Sequence, residues 1–63
     1  MYTLKNNITG VIMEFNSRVI LLKKANGIIK RYREGYSIRH TYFRPINACL
    51  RKLSEDTYEI VAL

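Results

Sequence analysis

The sequence predicts an α+β chain that is mostly β. The expected form is a small antiparallel meander of four or five strands, one short helix over about 45–53 and a final strand over about 57–63. Three observations carry this expectation. Turn-forming pairs recur at short, regular intervals, at Asn6-Asn7, Asn16-Ser17, Asn26-Gly27 and Glu34-Gly35. The stretches between them are rich in β-branched and aromatic residues. The hydrophobic period then changes after Pro45.

Taken in order, the strand candidates are 8–15, 18–24, 28–33 and 36–43. Asn26-Gly27 is the strongest hairpin signal, because both residues tolerate the positive φ of a tight turn. A competing reading joins residues 17–33 into one helix, with Val19, Leu22 and Ile29 on a shared face. Gly27 in its middle would cost about 1 kcal/mol relative to Ala, and the β-branched residues add to that, so strands are preferred. At Glu34-Gly35 a three-residue loop with Gly35 as the left-handed bulge residue pairs Tyr32 with Tyr36. One face then carries Ile28, Tyr32, Tyr36, Ile38 and Tyr42, and the other Arg31, Ser37, Arg39 and Thr41. A one-residue slip would mix the two sets. Lys30 falls on the apolar face, where it fits only at an edge. Val19, Ile20, Leu21 and Leu22 are apolar on both parities, which suits a strand covered on both sides or one buried by another subunit.

Beyond Pro45, Ile46, Cys49, Leu50 and Leu53 recur at the i, i+3, i+4, i+7 spacing of an amphipathic helix. Proline suits its first position. Ser54-Glu55-Asp56 ends it, and the residues from Thr57 onward read as the returning strand. This outline is the general shape of SH3-like or partly open barrels, a likeness of form that carries no function.

The 63 residues form a single domain, 1–63. A chain this short buries only about 60% of its unfolded surface and needs a dense core or a staple. One Cys closes no internal disulfide, and one Cys with one His cannot complete a zinc site. A hydrophobic content of 48% supports a core and excludes a disordered profile. It also exceeds what one small sheet and a two-turn helix readily hide. A twofold homodimer is therefore expected, with the apolar final strand either inside its own sheet or at the subunit boundary.

The formal net charge of +6 and pI near 9.8 favour an anionic partner. Eight of the eleven basic residues lie between 18 and 44 (Arg18, Lys23, Lys24, Lys30, Arg31, Arg33, Arg39 and Arg44), against Glu34 alone. Arginine grips phosphate through two parallel hydrogen bonds, and exposed aromatics stack on unpaired bases. The expected function is a small basic nucleic-acid-binding module, for DNA or RNA, acting by charge and shape from a sheet face. Arg31, Arg33 and Arg39 are its phosphate contacts, Lys23, Lys24 and Arg44 extend the patch, and Tyr42 stacks. The alternative is a small regulatory or inhibitory protein, of a virus or mobile element, that binds an acidic protein surface.

An enzyme is not expected. His40 is the one side chain that titrates near neutrality unperturbed, and Cys49 falls on the buried face of the expected helix, where a thiol is an inert hydrophobe. The glycines at 10, 27 and 35 are too scattered for a phosphate loop. No cofactor or metal is expected. Residues 1–5 lead into Asn6-Asn7 instead of an apolar signal core, and no run approaches the ~20 residues of a membrane span. With its lone Cys, the chain is expected in the cytoplasm, away from membranes.

Overall fold

A computed structural model of the chain describes residues 1–35 and 44–63. Five elements follow in order: β1 (Tyr2–Asn6), β2 (Ile12–Phe15), α1 (Arg18–Glu34), β3 (Ala48–Ser54) and β4 (Thr57–Ala62). The fold is α+β, and more of these residues lie in strands than in the helix. The sheet order is β2-β1-β4-β3. β1 with β2 and β3 with β4 are antiparallel pairs, as a meander requires, but the central pair β1–β4 is parallel. The sheet is therefore mixed: two hairpins lie side by side, and α1 carries the chain from one edge strand to the other.

The largest correction concerns residues 18–33, expected as two strands and found as one helix. The competing helical reading was the right one; of its expected face Ile29 is buried and Leu22 packs half-buried against the core, but Val19 is exposed. The buried stripe is Leu21, Ala25, Ile28, Ile29 and Tyr32, spaced i, i+4, i+7, i+8 and i+11. Five buried side chains outweigh the roughly 1 kcal/mol penalty of a mid-helix glycine. Asn26-Gly27 is consequently no hairpin; both residues face out on the third turn. The neighbouring turn signals become caps. Ser17 is extended at φ −130° and ψ 135°, and its hydroxyl accepts from the Ile20 N–H at 3.5 Å. Gly35 is left-handed at φ 89° and donates its N–H to the Tyr32 carbonyl at 3.2 Å. The positive φ expected of Gly35 is present, as a helix cap and not as a β-bulge. The Tyr32–Tyr36 cross-strand pair is lost with it, since Tyr32 is helical. The strand expected over 36–43, with Arg39, His40 and Tyr42, lies outside the described residues.

The second correction reverses the first. The helix expected over 45–53 is strand β3, and Pro45 stands in the irregular stretch before it. β3 pairs antiparallel with β4 over six registers, from Ala48↔Ala62 to Ser54↔Thr57, with an irregularity between Lys52 and Ser54. Period-two alternation puts Ala48 and Leu50 against the helix and Cys49 and Arg51 on the far face. Cys49 is half-buried on that far face, so its expected place on the buried side of a helix is also corrected. Leu53, expected in the same apolar stripe, is 46% exposed. The returning strand is present as β4, and Glu55-Asp56 makes the turn before it. The Asp56 carboxylate accepts from the Ser54 hydroxyl at 3.0 Å and the Thr57 hydroxyl at 3.2 Å. Those bonds, Ser54 first and Thr57 second, hold its carboxyl below the usual carboxylate range.

Leu4, Tyr58 and Ile60 line the covered face of the two central strands and meet Leu21, Ala25, Ile28, Ile29 and Tyr32 of α1. Tyr2, Met13, Phe15, Ile46 and Leu50 pack around this centre. Among the described residues, one polar side chain is buried there. Asn6 donates from Nδ2 to the Tyr32 hydroxyl at 3.2 Å, and its Oδ1 accepts the N–H groups of Ile8 and Thr9 at 3.0 and 3.2 Å. That folds the β1–β2 connection into a tight turn closed by Gly10 at φ 81°.

Candidate functional site

α1 buries one stripe and exposes the rest, so its cations stand on the outside of the fold. Its six basic residues, Arg18, Lys23, Lys24, Lys30, Arg31 and Arg33, face a single helical acid, Glu34. Two of the acids outside the helix are ion-paired elsewhere, and Glu14 on β2 has no ion-pair partner among the described residues. Glu55 meets Arg18 at 3.7 Å and Lys52 at 3.5 Å, and Glu59 meets Arg51 at 3.4 Å. Glu59 also accepts from the Asn7 amide at 2.8 Å. Among the described residues, Lys23, Lys24, Lys30, Arg31 and Arg33 have no ion-pair partner. The sequence of 36–43 contains no acidic residue.

At 3.6 residues per turn, these cations sort into rows. Lys23 and Lys30 form one row, and Lys24 and Arg31 form another. Between them runs a stripe of Ile20, Gly27 and Glu34, spaced seven apart on the exposed side of the helix. Lys23, Lys24, Gly27, Ile28 and Arg31 line a shallow groove along this surface. A Cβ built on Gly27 would meet nothing within 4 Å, so the middle of the stripe is open ground. Arg31 and Arg33 also lie in the last turn, where positive charge complements the helix dipole.

The basic surface is therefore a helix face, and the expected basic sheet face is corrected. The uncovered side of the sheet alternates its charges instead. Lys5 stands beside Glu59 in register, and Arg51 pairs with Glu59 from β3. Of the candidate residues, Lys23, Lys24 and Arg31 come together on α1. Arg33 sits to one side, where its Nε donates to the Ala48 carbonyl at 3.1 Å and ties the helix to β3. Arg44 is exposed in the stretch before β3. Arg39 and Tyr42 lie outside the described residues.

Lys30 was missed. A strand reading put it on the apolar face, whereas the helix turns it outward beside Lys23. The signal that could have found it is the seven-residue repeat of adjacent basic pairs, Lys23-Lys24 and Lys30-Arg31, with Gly27 between. Cys49 lies on the sheet's far face, and His40 falls outside the described residues. Among the described residues, no helix is long and apolar enough to cross a membrane. No protein-family model, curated protein or solved structure matches this chain.

Proposed function

We propose that the protein binds nucleic acid through the outer face of α1, with Lys23, Lys24, Lys30 and Arg31 as the phosphate contacts and Arg33 and Arg44 beside them. One observation carries the reading: four cations in two rows share an exposed face without a carboxylate partner among the described residues, while Glu55 and Glu59 are paired with other cations. Counterions condensed on a phosphate backbone are released when such cations replace them, and that release drives binding.

An electrophoretic shift series with random-sequence nucleic acid at several salt concentrations tests this. About four neutralised phosphates give a slope of log K against log salt near −3 to −4 on a duplex. Changing Lys23, Lys24, Lys30 and Arg31 together to Ala should remove most of that slope. All four side chains are exposed and Ala favours helix, so circular dichroism of the variant should be unchanged. Tight binding that ignores salt would sink the proposal.

A second reading, an acidic protein partner on the same face, draws on Val19 and Ile20, which are 66% and 56% exposed on the first turn. A protein complex that survives nuclease treatment and is lost on Val19→Ser with Ile20→Ser would favour it.

Self-association belongs to the proposal as well. Of the two places expected for the apolar final strand, it takes the one inside its own sheet, as β4 between β1 and β3. β3, at one edge, carries Arg51, Lys52 and an irregularity, whereas at the other edge Ile12 of β2 and Val11 just before it are 63% and 44% exposed. A second copy pairing β2 to β2 about a twofold axis would cover these residues and continue the sheet. Light scattering at micromolar concentration should give twice the 7.4 kDa chain mass, and Ile12→Lys should halve it. The mass of one chain from the unaltered protein would refute the dimer.

A further inference from the structure

Given the nucleic-acid reading above, we infer that α1 docks lengthwise in the major groove of B-form DNA, with Ile20 and Gly27 toward the base edges and the two cationic rows on opposite phosphate walls. The inference starts from the angular order of the outer face. Lys23 and Lys30 stand on one side of the Ile20–Gly27 line and Lys24 and Arg31 on the other, each roughly 40–60° away at 100° per residue. A single basic stripe would track one strand from outside. Two rows with a low-profile line between them fit a surface that has two walls and a floor.

Dimensions agree with this. A helix with its side chains is about 10–12 Å across, and the B-form major groove is about 12 Å wide. Within each row the two cations are seven residues apart, about 10.5 Å along the axis, so both ends of the inserted length are held. Gly27 is central to that length and has no side chain to keep the backbone off the floor. Glu34, at the C-terminal end of the line, opposes the acceptor-rich groove, so the insertion runs from Ile20 through Gly27 and stops short of it. With an aliphatic residue and a glycine on the floor, little base-specific hydrogen bonding is available.

The same features select among nucleic acids. The major groove of A-form RNA is deep and too narrow for side chains to read. A single strand needs stacking platforms. The aromatics described on the helix and sheet are engaged in packing: Tyr32 and Tyr58 are buried, and Tyr2 and Phe15 pack against the core.

The test uses the full chain and one sequence of about 20 base pairs, prepared as DNA duplex, RNA duplex and DNA single strand, with affinity read by fluorescence anisotropy. The DNA duplex is expected to bind about tenfold tighter than either alternative. Dimethyl sulfate should find guanine N7, a major-groove atom, protected and adenine N3, a minor-groove atom, still reactive. Gly27→Phe projects a ring from the middle of the line into open space, so the fold is kept; DNA affinity should fall about tenfold with the salt slope unchanged. RNA duplex or single strand bound as tightly as DNA duplex, or protection of adenine N3 alone, would overturn the groove assignment and leave the nucleic-acid reading standing. Full DNA affinity in Gly27→Phe would overturn it too. Absence of binding to all three probes would overturn both.

Discussion

Truncation after Tyr58 is expected to unfold the protein outright. The residues removed are Glu59, Ile60, Val61, Ala62 and Leu63, which form most of β4, and β4 is internal to the sheet. On one side it pairs in parallel with β1 through Lys5↔Glu59 and Asn6↔Ile60, and the Asn7 N–H donates to the Ile60 carbonyl at 3.0 Å. On the other side it holds β3 from Ala48 to Arg51. Ile60 is fully buried against α1, and losing a side chain of that kind alone costs about 2–5 kcal/mol. A domain of this size commonly has only a few kcal/mol in all, and loss of most of the strand leaves only the Thr3↔Thr57 and Leu4↔Tyr58 pairs to join the two hairpins. The far-ultraviolet dichroism of the truncated chain should be that of a largely unfolded polypeptide at 25 °C. A folded chain after truncation would mean that β4 belongs to a boundary between molecules.

The parts of this fold that were legible share a property: their signals are local. The apolar end of the chain marks β4, Ser54-Glu55-Asp56 marks its turn, and Asn6-Asn7 opens the first hairpin, although residues 8–11, read as strand, belong to its connection. Ser17 and Gly35 were recognised as punctuation, though a capping serine and a left-handed glycine look the same at a turn as at a helix end. What misled was a conflict of scales. Asn26-Gly27 is a strong local hairpin signal, while the stripe from Leu21 to Tyr32 is a weaker signal spread over three turns, and its burial wins only once a sheet exists to receive it. The error at β3 has the opposite sense. Ile46, Cys49, Leu50 and Leu53 keep helical spacing over eight residues, too short a run to tell helix from strand. The decisive partner, β4, is supplied by the strand that follows. The site depended on the same choice. The basic excess was visible in the numbers, but which cations share a face is a matter of period: alternation separates Lys23 from Lys24 and puts Lys30 inside. Helical geometry sets them in two rows around Gly27.

Asn6→Ala is expected to lower stability by about 2–4 kcal/mol, more than its size suggests, because each polar atom of this buried side chain has a partner. Oδ1 holds the N–H groups of Ile8 and Thr9, which otherwise point into a turn with no other acceptor for them on the side chain. Nδ2 reaches across the core to the Tyr32 hydroxyl, linking the β1–β2 turn to the last turns of α1 over 26 residues of chain. Tyr32→Phe removes the acceptor and strands the Nδ2 donor in the core, a loss of about 1–3 kcal/mol. Once Asn6 is alanine, no donor remains to be stranded, so Tyr32→Phe should then cost little. Urea unfolding of the two single variants and the double variant should therefore depart from additivity by about 1 kcal/mol or more, beyond the ~0.5 kcal/mol scatter of independent sites. Hydrogen exchange separates the two halves of the network. The Ile8 and Thr9 amides should lose protection in Asn6→Ala and keep it, relative to the global stability, in Tyr32→Phe. Strict additivity would mean that the Asn6–Tyr32 contact joins turn and helix in geometry without joining them in energy, and the buried asparagine would then act through its turn alone.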